Sequence, residues 1–165
     1  MVIEIKGYKV LIDDEDYLLV KDYKWSPDPR PGGNTVYFKC YAGGGKRHPI
    51  HLYLHRLIAG AREPSRGNNR KNNVVDHKNL DTLDCRKENL RICTHKKNCR
   101  NRRGKKGRLL PSGVRQSSKN SYMARICANG REKYLGSFRN IEEASRAYRR
   151  AAKRLYREFY HREKK

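Results

Sequence analysis

Val74-Val75-Asp76-His77, a polar loop, Glu88-Asn89-Leu90-Arg91-Ile92 and then Thr94-His95-Lys96-Lys97-Asn98 form the stretch whose reading decides the fold. Two apolar runs of strand length precede a polar segment that Thr94 can open as a helix, its hydroxyl capping the first backbone N–H groups. Strand, loop, strand, helix describes a hairpin with a helix lying across it. That order brings Asp76, His77 and Asn98 toward one point, supplying a carboxylate, an imidazole and an amide oxygen. A hard divalent cation takes such oxygen ligands, and an imidazole beside it can deprotonate a water. A lone Asp-His pair is ordinarily a surface turn and a lone Asn a strand end. The three together, at their spacing, point to function.

His77 is followed twelve residues later by Asn89 and twenty-one later by Asn98. In these residues and this spacing the stretch resembles the HNH endonucleases of the ββα-metal type, in particular small phage and intron-encoded homing enzymes. The resemblance implies that His77 is the general base and that Asp76 and Asn98 ligate a divalent ion, Mg²⁺ or Mn²⁺. It also implies that Asn89 holds the loop and the histidine by hydrogen bonds. The loop Lys78-Asn79-Leu80-Asp81 lacks the family's common Gly-containing turn. The third position is Asn98 rather than His, and His95, one helical turn earlier, competes for it. His55-Arg56-Leu57 recurs upstream of the motif in the same nucleases, which would put His55 near a phosphate. A strand-end histidine packed on Tyr53 is the equal alternative.

Charge points the same way. The 165 residues carry 40 Lys and Arg against 17 Asp and Glu, a net of +23, which calls for a polyanionic partner. Residues 1–60 hold nine basic and seven acidic side chains, whereas residues 61–165 hold 31 and 10. Between Glu88 and Glu132 there is no acidic residue, while thirteen Lys or Arg fall there. The stripe begins beside the proposed metal site. Charge alone does not separate DNA from RNA or anionic lipid. No apolar run is long enough for a bilayer and the amino terminus alternates charge too quickly for a signal peptide, so a cytoplasmic protein without a membrane segment is expected. Five cysteines, with no Cys-x-x-Cys, read as reduced thiols. Cys93, His95 and Cys99 are the nearest approach to a zinc site.

The expected fold class is α+β: a small β-rich amino-terminal region leading into the ββα nuclease module, a basic linker, then a three-stranded antiparallel sheet packed on one helix. Expected boundaries are 1–101, 102–112 and 113–161. Val2–Ile5 and Tyr8–Ile12 read as strands, Asp13–Asp16 as a solvated turn or helix start, and Tyr17–Val20 with Trp25 as core. Pro27, Pro29, Pro31, Gly32 and Gly33 read as a loop. Residues 34–41 and 50–55 read as a hairpin, and 56–59 as a short helix.

Arg100, Arg102, Arg103, Lys105 and Lys106 lie in a Gly-containing basic segment that cannot bury a core and reads as a linker along a phosphate backbone. A nuclear-localisation run is the competing interpretation. Beyond it, Gly113–Gln116, Tyr122–Ile126 and Lys133–Phe138 read as three strands. A helix follows, capped by Asn140 with Glu143 three residues on, and Ala144, Ala147, Tyr148, Ala151, Ala152, Leu155 and Phe159 form its apolar face. Gly113-Val114-Arg115, Tyr134-Leu135-Gly136-Ser137-Phe138 and Glu142-Glu143-Ala144 through Ala152 resemble the APETALA2 DNA-binding domain of ethylene-response factors, which also occurs fused to HNH homing endonucleases. That resemblance implies a sheet in the major groove, with Arg115, Arg125, Lys133 and Tyr134 contacting DNA. Tyr122 and Tyr134 stand where that family usually has Trp, and Arg149 replaces a usual Asp, so base preference does not transfer.

The first expectation is a metal-dependent endonuclease of homing type acting on double-stranded DNA; one active site suggests a monomer that nicks one strand, and two sites would be needed for a double-strand break. The alternative is a DNA-binding regulator that cuts nothing, and a third reading is an RNA-binding protein.

Overall fold

The computed structural model describes residues 1–31, 35–47, 49–61, 73–101, 109–128 and 130–160. The chain is α+β, with several small antiparallel sheets and few helices, and divides into two compact units, Met1–Cys99 and Arg100–Lys165. No described helix is long and apolar enough to cross a membrane.

In the first unit, β1 (Val2–Ile5) and β2 (Tyr8–Leu11) form a hairpin in which Ile5 faces Tyr8. Lys6 and Gly7 join them, both at positive φ (47° and 85°), the left-handed pair that matches the twist of a two-residue hairpin loop. A 3-10 turn over Asp14–Asp16 leads into α1 (Tyr17–Val20). Of α1 only Val20 is buried, and Leu18 is 71 % exposed, so the run expected to supply core supplies one side chain. Ser26–Pro29 is a strand, β3, where a loop was expected. It pairs on one side only, with β4 (Val36–Gly43), and an edge strand tolerates proline because its other side needs no N–H donors. β5 (Ile50–Tyr53) completes that sheet in the order β3-β4-β5. α2 begins at Leu54 and runs to Ile58, so His55 belongs to a helix and not to a strand end.

β6 (Val74–His77) and β7 (Leu90–Cys93) pair antiparallel with Asp76 opposite Arg91 and His77 opposite Leu90. α3 (His95–Asn98) follows and packs against β6. Its cap is Thr94, whose hydroxyl accepts the Lys97 N–H at 3.2 Å. One core joins these pieces: Ile5, Val10, Ile12, Val20, Trp25, Phe38, Leu54, Ile58, Val75, Cys85 and Leu90 pack together. The amino-terminal segments are therefore the other half of the core on which the β6–β7 hairpin rests.

The loop between β6 and β7 is pinned to the amino terminus by backbone and charge. Leu11 donates to the Leu83 carbonyl and accepts from Cys85 N–H, each at 2.8 Å. Lys87 donates its backbone N–H to Asp13 Oδ2 at 2.7 Å and its ammonium to Glu15 Oε1 at 2.6 Å and Asp16 Oδ1 at 2.9 Å. The acidic run expected as a solvated turn or helix start thus opens the 3-10 turn and also receives Lys87. Asp16 is buried.

In the second unit, β8 (Val114–Ser118), β9 (Ser121–Ala128) and β10 (Arg131–Phe138) form a sheet in the order β10-β9-β8. α4 (Ile141–Tyr156) is capped by Asn140, whose Oδ1 accepts the Glu143 N–H at 2.8 Å. Ala144, Ala151 and Ala152 are buried against Val114, Ala124 and Ile126, small side chains letting helix and sheet approach closely. Leu155 is exposed and off that face, whereas Phe159, in the 3-10 turn Arg157–Phe159, is buried.

Candidate active site

The pairing of β6 with β7 fixes the first groups. Asp76 and His77 end β6, both 4 % exposed. Cross-strand neighbours share a face, and Arg91 opposite Asp76 donates Nε and Nη2 to Asp76 Oδ2 at 2.9 and 2.6 Å. His77 lies among rings and a thiol. The imidazoles of His55 and His77 are 5.3 Å apart, the Tyr37 ring is 4.8 Å from His55 and 6.1 Å from His77, and Cys85 Sγ is 4.0 Å from His77 Nε2. His55 is thus packed on Tyr37, Tyr53 and His77.

Asn89 sits where it can brace the loop at both ends. Its Oδ1 accepts the Asn79 N–H at 3.0 Å, its Nδ2 donates to the Asp84 carbonyl at 2.7 Å, and its backbone carbonyl accepts Lys78 N–H at 2.9 Å. Asp84, gripped by Arg86 through two contacts of 2.9 Å, takes a further bond from Asn79 Nδ2 at 3.0 Å. The Arg86 contact holds the Asp84 carboxyl below the usual carboxylate range. These bonds give the loop a fixed shape in place of a glycine turn.

Asn98 closes α3, half-buried, on the element packed against β6. His95 opens α3, exposed, with Nδ1 3.5 Å from Cys99 Sγ. Among the described residues, which include all five cysteines, there is no disulfide bond and no cluster of three His, Cys, Asp or Glu side chains placed to hold a metal ion. Cys93, His95 and Cys99 therefore form no zinc set. The Asp76 carboxylate and Asn98 carboxamide are hard oxygen donors on adjoining elements, the type that Mg²⁺ or Mn²⁺ takes alongside water and substrate phosphate. Asp76 Oδ2 is held by the Arg91 guanidinium, which a divalent ion would have to displace there.

Burial governs the proton chemistry. It pulls His77 from an ordinary 6.5 down to about 4, against the opposing pull of Asp76, Asp81 and Asp84. His55 lies well below 6.5, by burial first and then by the charges of His77, Arg56 and Arg30. Both imidazoles are neutral near pH 7, so His77 can accept a proton. Burial pushes the Cys85 thiol up to about 12, so that it stays protonated.

A stability consequence follows. The unfolded chain protonates His77 near 6.5 and the folded chain only near 4, so between those values the unfolded state binds more protons. Stability contributed by the neutral ring is complete above pH 6.5 and is lost as pH falls to 4, by roughly 3 kcal/mol from His77. His55 acts in the same direction. Urea unfolding of the metal-free protein at a series of pH values measures this, and equal stability at pH 7 and pH 4.5 would contradict it.

The DNA contacts expected downstream divide. Arg100 stacks over Tyr156, 4.9 Å from ring centre, instead of lying in an open linker. Arg102, Arg103, Lys105 and Lys106 lie outside the described residues. Arg125 stands opposite Tyr134, so the two share a face of the sheet. Arg115 and Arg125 both pair with Glu132, at 3.9 and 2.8 Å. Lys133 is opposite Ile126, which is buried toward α4, and so it belongs to the other face.

Arg91, Cys85, Tyr37 and Glu132 were not picked out from the sequence. Arg91 had a signal, because counting residues back from both sides of the hairpin loop places it opposite Asp76. Tyr37 had none, being brought in from a different sheet.

Residues 52–100 match the model of the HNH endonuclease family. No curated protein and no solved structure matches the chain. The matched segment holds His55, Asp76, His77, Cys85, Asn89, Arg91 and Asn98, and over that segment the chain is similar to HNH endonucleases, which indicates a nuclease.

Proposed function

We propose that this chain is a metal-dependent DNA endonuclease of the homing type, which nicks double-stranded DNA under the guidance of its second unit. The observation that carries the reading is His77: a buried imidazole that follows Asp76 in β6, its loop braced by Asn89, inside the segment that matches HNH endonucleases. His77 takes a proton from water, and the hydroxide attacks phosphorus as the bond to the 3′ oxygen breaks. Asp76 and Asn98 would hold Mg²⁺ or Mn²⁺, which when bound supplies positive charge against the negative charge that develops on the phosphate. Asn89 keeps the His77 loop in place, and Arg91 balances Asp76 until the ion is present.

The second unit, with Arg115, Arg125 and Tyr134 on one face of its sheet, supports the APETALA2-type reading of residues 113–161 as a major-groove module. Arg100 and the basic residues 102–106 add salt-sensitive affinity for phosphates. A monomer with one site cuts one strand.

Incubation with supercoiled plasmid tests this. Nicked circles are expected with Mg²⁺ or Mn²⁺ and none in EDTA, while retarded plasmid in EDTA shows binding without cleavage. Binding with no nicking under any divalent ion would favour a regulator that cuts nothing.

A further inference from the structure

Every cation assigned to DNA so far lies at residue 100 or beyond, yet the His77 cluster has a basic mouth of its own. Arg30 follows β3, its backbone N–H held by the Thr35 carbonyl at 3.0 Å. Its guanidinium lies over the Tyr37 ring, 5.1 Å from the centre, and over the Tyr53 ring at 5.8 Å. These two rings also flank His55, and Tyr37 reaches His77. Arg30 keeps 47 % of its side chain exposed, whereas Asp76, His77 and His55 are almost closed off. A strand approaching the cluster from the side of Tyr37 and Tyr53 meets the guanidinium.

The local charge is unbalanced. Asp28 is shared by two cations, Arg30 at 3.1 Å and Lys39 at 2.8 Å, and Tyr53 Oη donates to it at 3.3 Å. Two positive charges face one carboxylate, so one remains for a ligand. The Arg30 guanidinium is half exposed, and an ion pair open to solvent on that side is weak enough for a phosphate to compete. A guanidinium steadied on aromatic faces loses little freedom when its planar fork meets phosphate oxygens.

We propose that Arg30, seated on Tyr37 and Tyr53, binds a backbone phosphate of the nucleic-acid strand presented to His77. The ligand is a phosphodiester next to the one cut, and the proposal rests on the nuclease reading above. Arg30, with Tyr37 and Tyr53 beneath it, then forms part of the substrate surface.

The test uses the full chain and a short synthetic duplex in EDTA, so that nothing is cut. In the parent protein, phenylglyoxal should modify Arg30 without the duplex and fail to modify it at saturating duplex, read by peptide mass spectrometry. Arg30→Gln should bind about tenfold more weakly at low salt and lower the slope of log affinity against log salt by about one. Equal labelling of Arg30 with and without duplex overturns the proposal, as does a folded Arg30→Gln protein with parental affinity and slope. If that variant does not fold, the labelling decides alone. His77→Ala separates the two readings. Parental nicking by His77→Ala would end the nuclease assignment while labelling still judges Arg30, and a dead His77→Ala with unprotected Arg30 would end only the phosphate subsite.

Discussion

Replacing His77 by alanine is expected to slow plasmid nicking about 10³-fold, the range lost when a positioned general base is removed. Binding of the same plasmid in EDTA should be unchanged within about twofold, since the ring is buried and touches His55, Tyr37 and Cys85. The variant leaves a hole among those side chains, so His77→Gln, closer in volume, serves beside it and should be equally slow. Nicking at the parental rate by either folded variant would remove His77 from the chemistry.

The second large effect lies in the other unit. Gly113→Ala is expected to destabilise that unit on the order of 3 kcal/mol, adding overpacking to the strain of a left-handed residue with a Cβ. Gly113 has φ +72°, and an added Cβ would collide with the Tyr148 ring and lie 2.7 Å from the Arg125 carbonyl oxygen. The ring belongs to α4 and the carbonyl to β9, whose Arg125 N–H bonds the Gly113 carbonyl at 2.8 Å, so neither side can yield easily. Gly130→Ala is the comparison: φ is +81° but nothing lies within 4 Å, so only backbone strain of about 1 kcal/mol remains. Urea unfolding followed by circular dichroism measures both, and equal costs would refute the collision.

Much of this was legible because the signals are local. The short apolar runs at 74–77 and 90–93, the Thr94 cap and the Asn140 cap each act within a few residues, and the structure has them all. Periodicity along α4 picked out Ala144, Ala151 and Ala152, though it also included Leu155, which the helix leaves exposed. What was not legible depends on contacts between distant parts of the chain. Lys87 meets Asp13, Glu15 and Asp16 across more than seventy residues, so the acidic run looked like a plain surface feature. Arg30 and Tyr37 reach the His77 cluster because β4, which β3 borders, shares the core on which β6 rests. Prolines at 27 and 29 suppressed a strand that exists because it is an edge.

The sole tryptophan of the chain, Trp25, is buried in the first unit and donates Nε1–H to the Val20 carbonyl at 2.9 Å. Its emission therefore watches only residues 1–99. A titration followed by fluorescence reports the melting of the unit that holds His77, and backbone signals that move first disclose the other unit unfolding as an independent event.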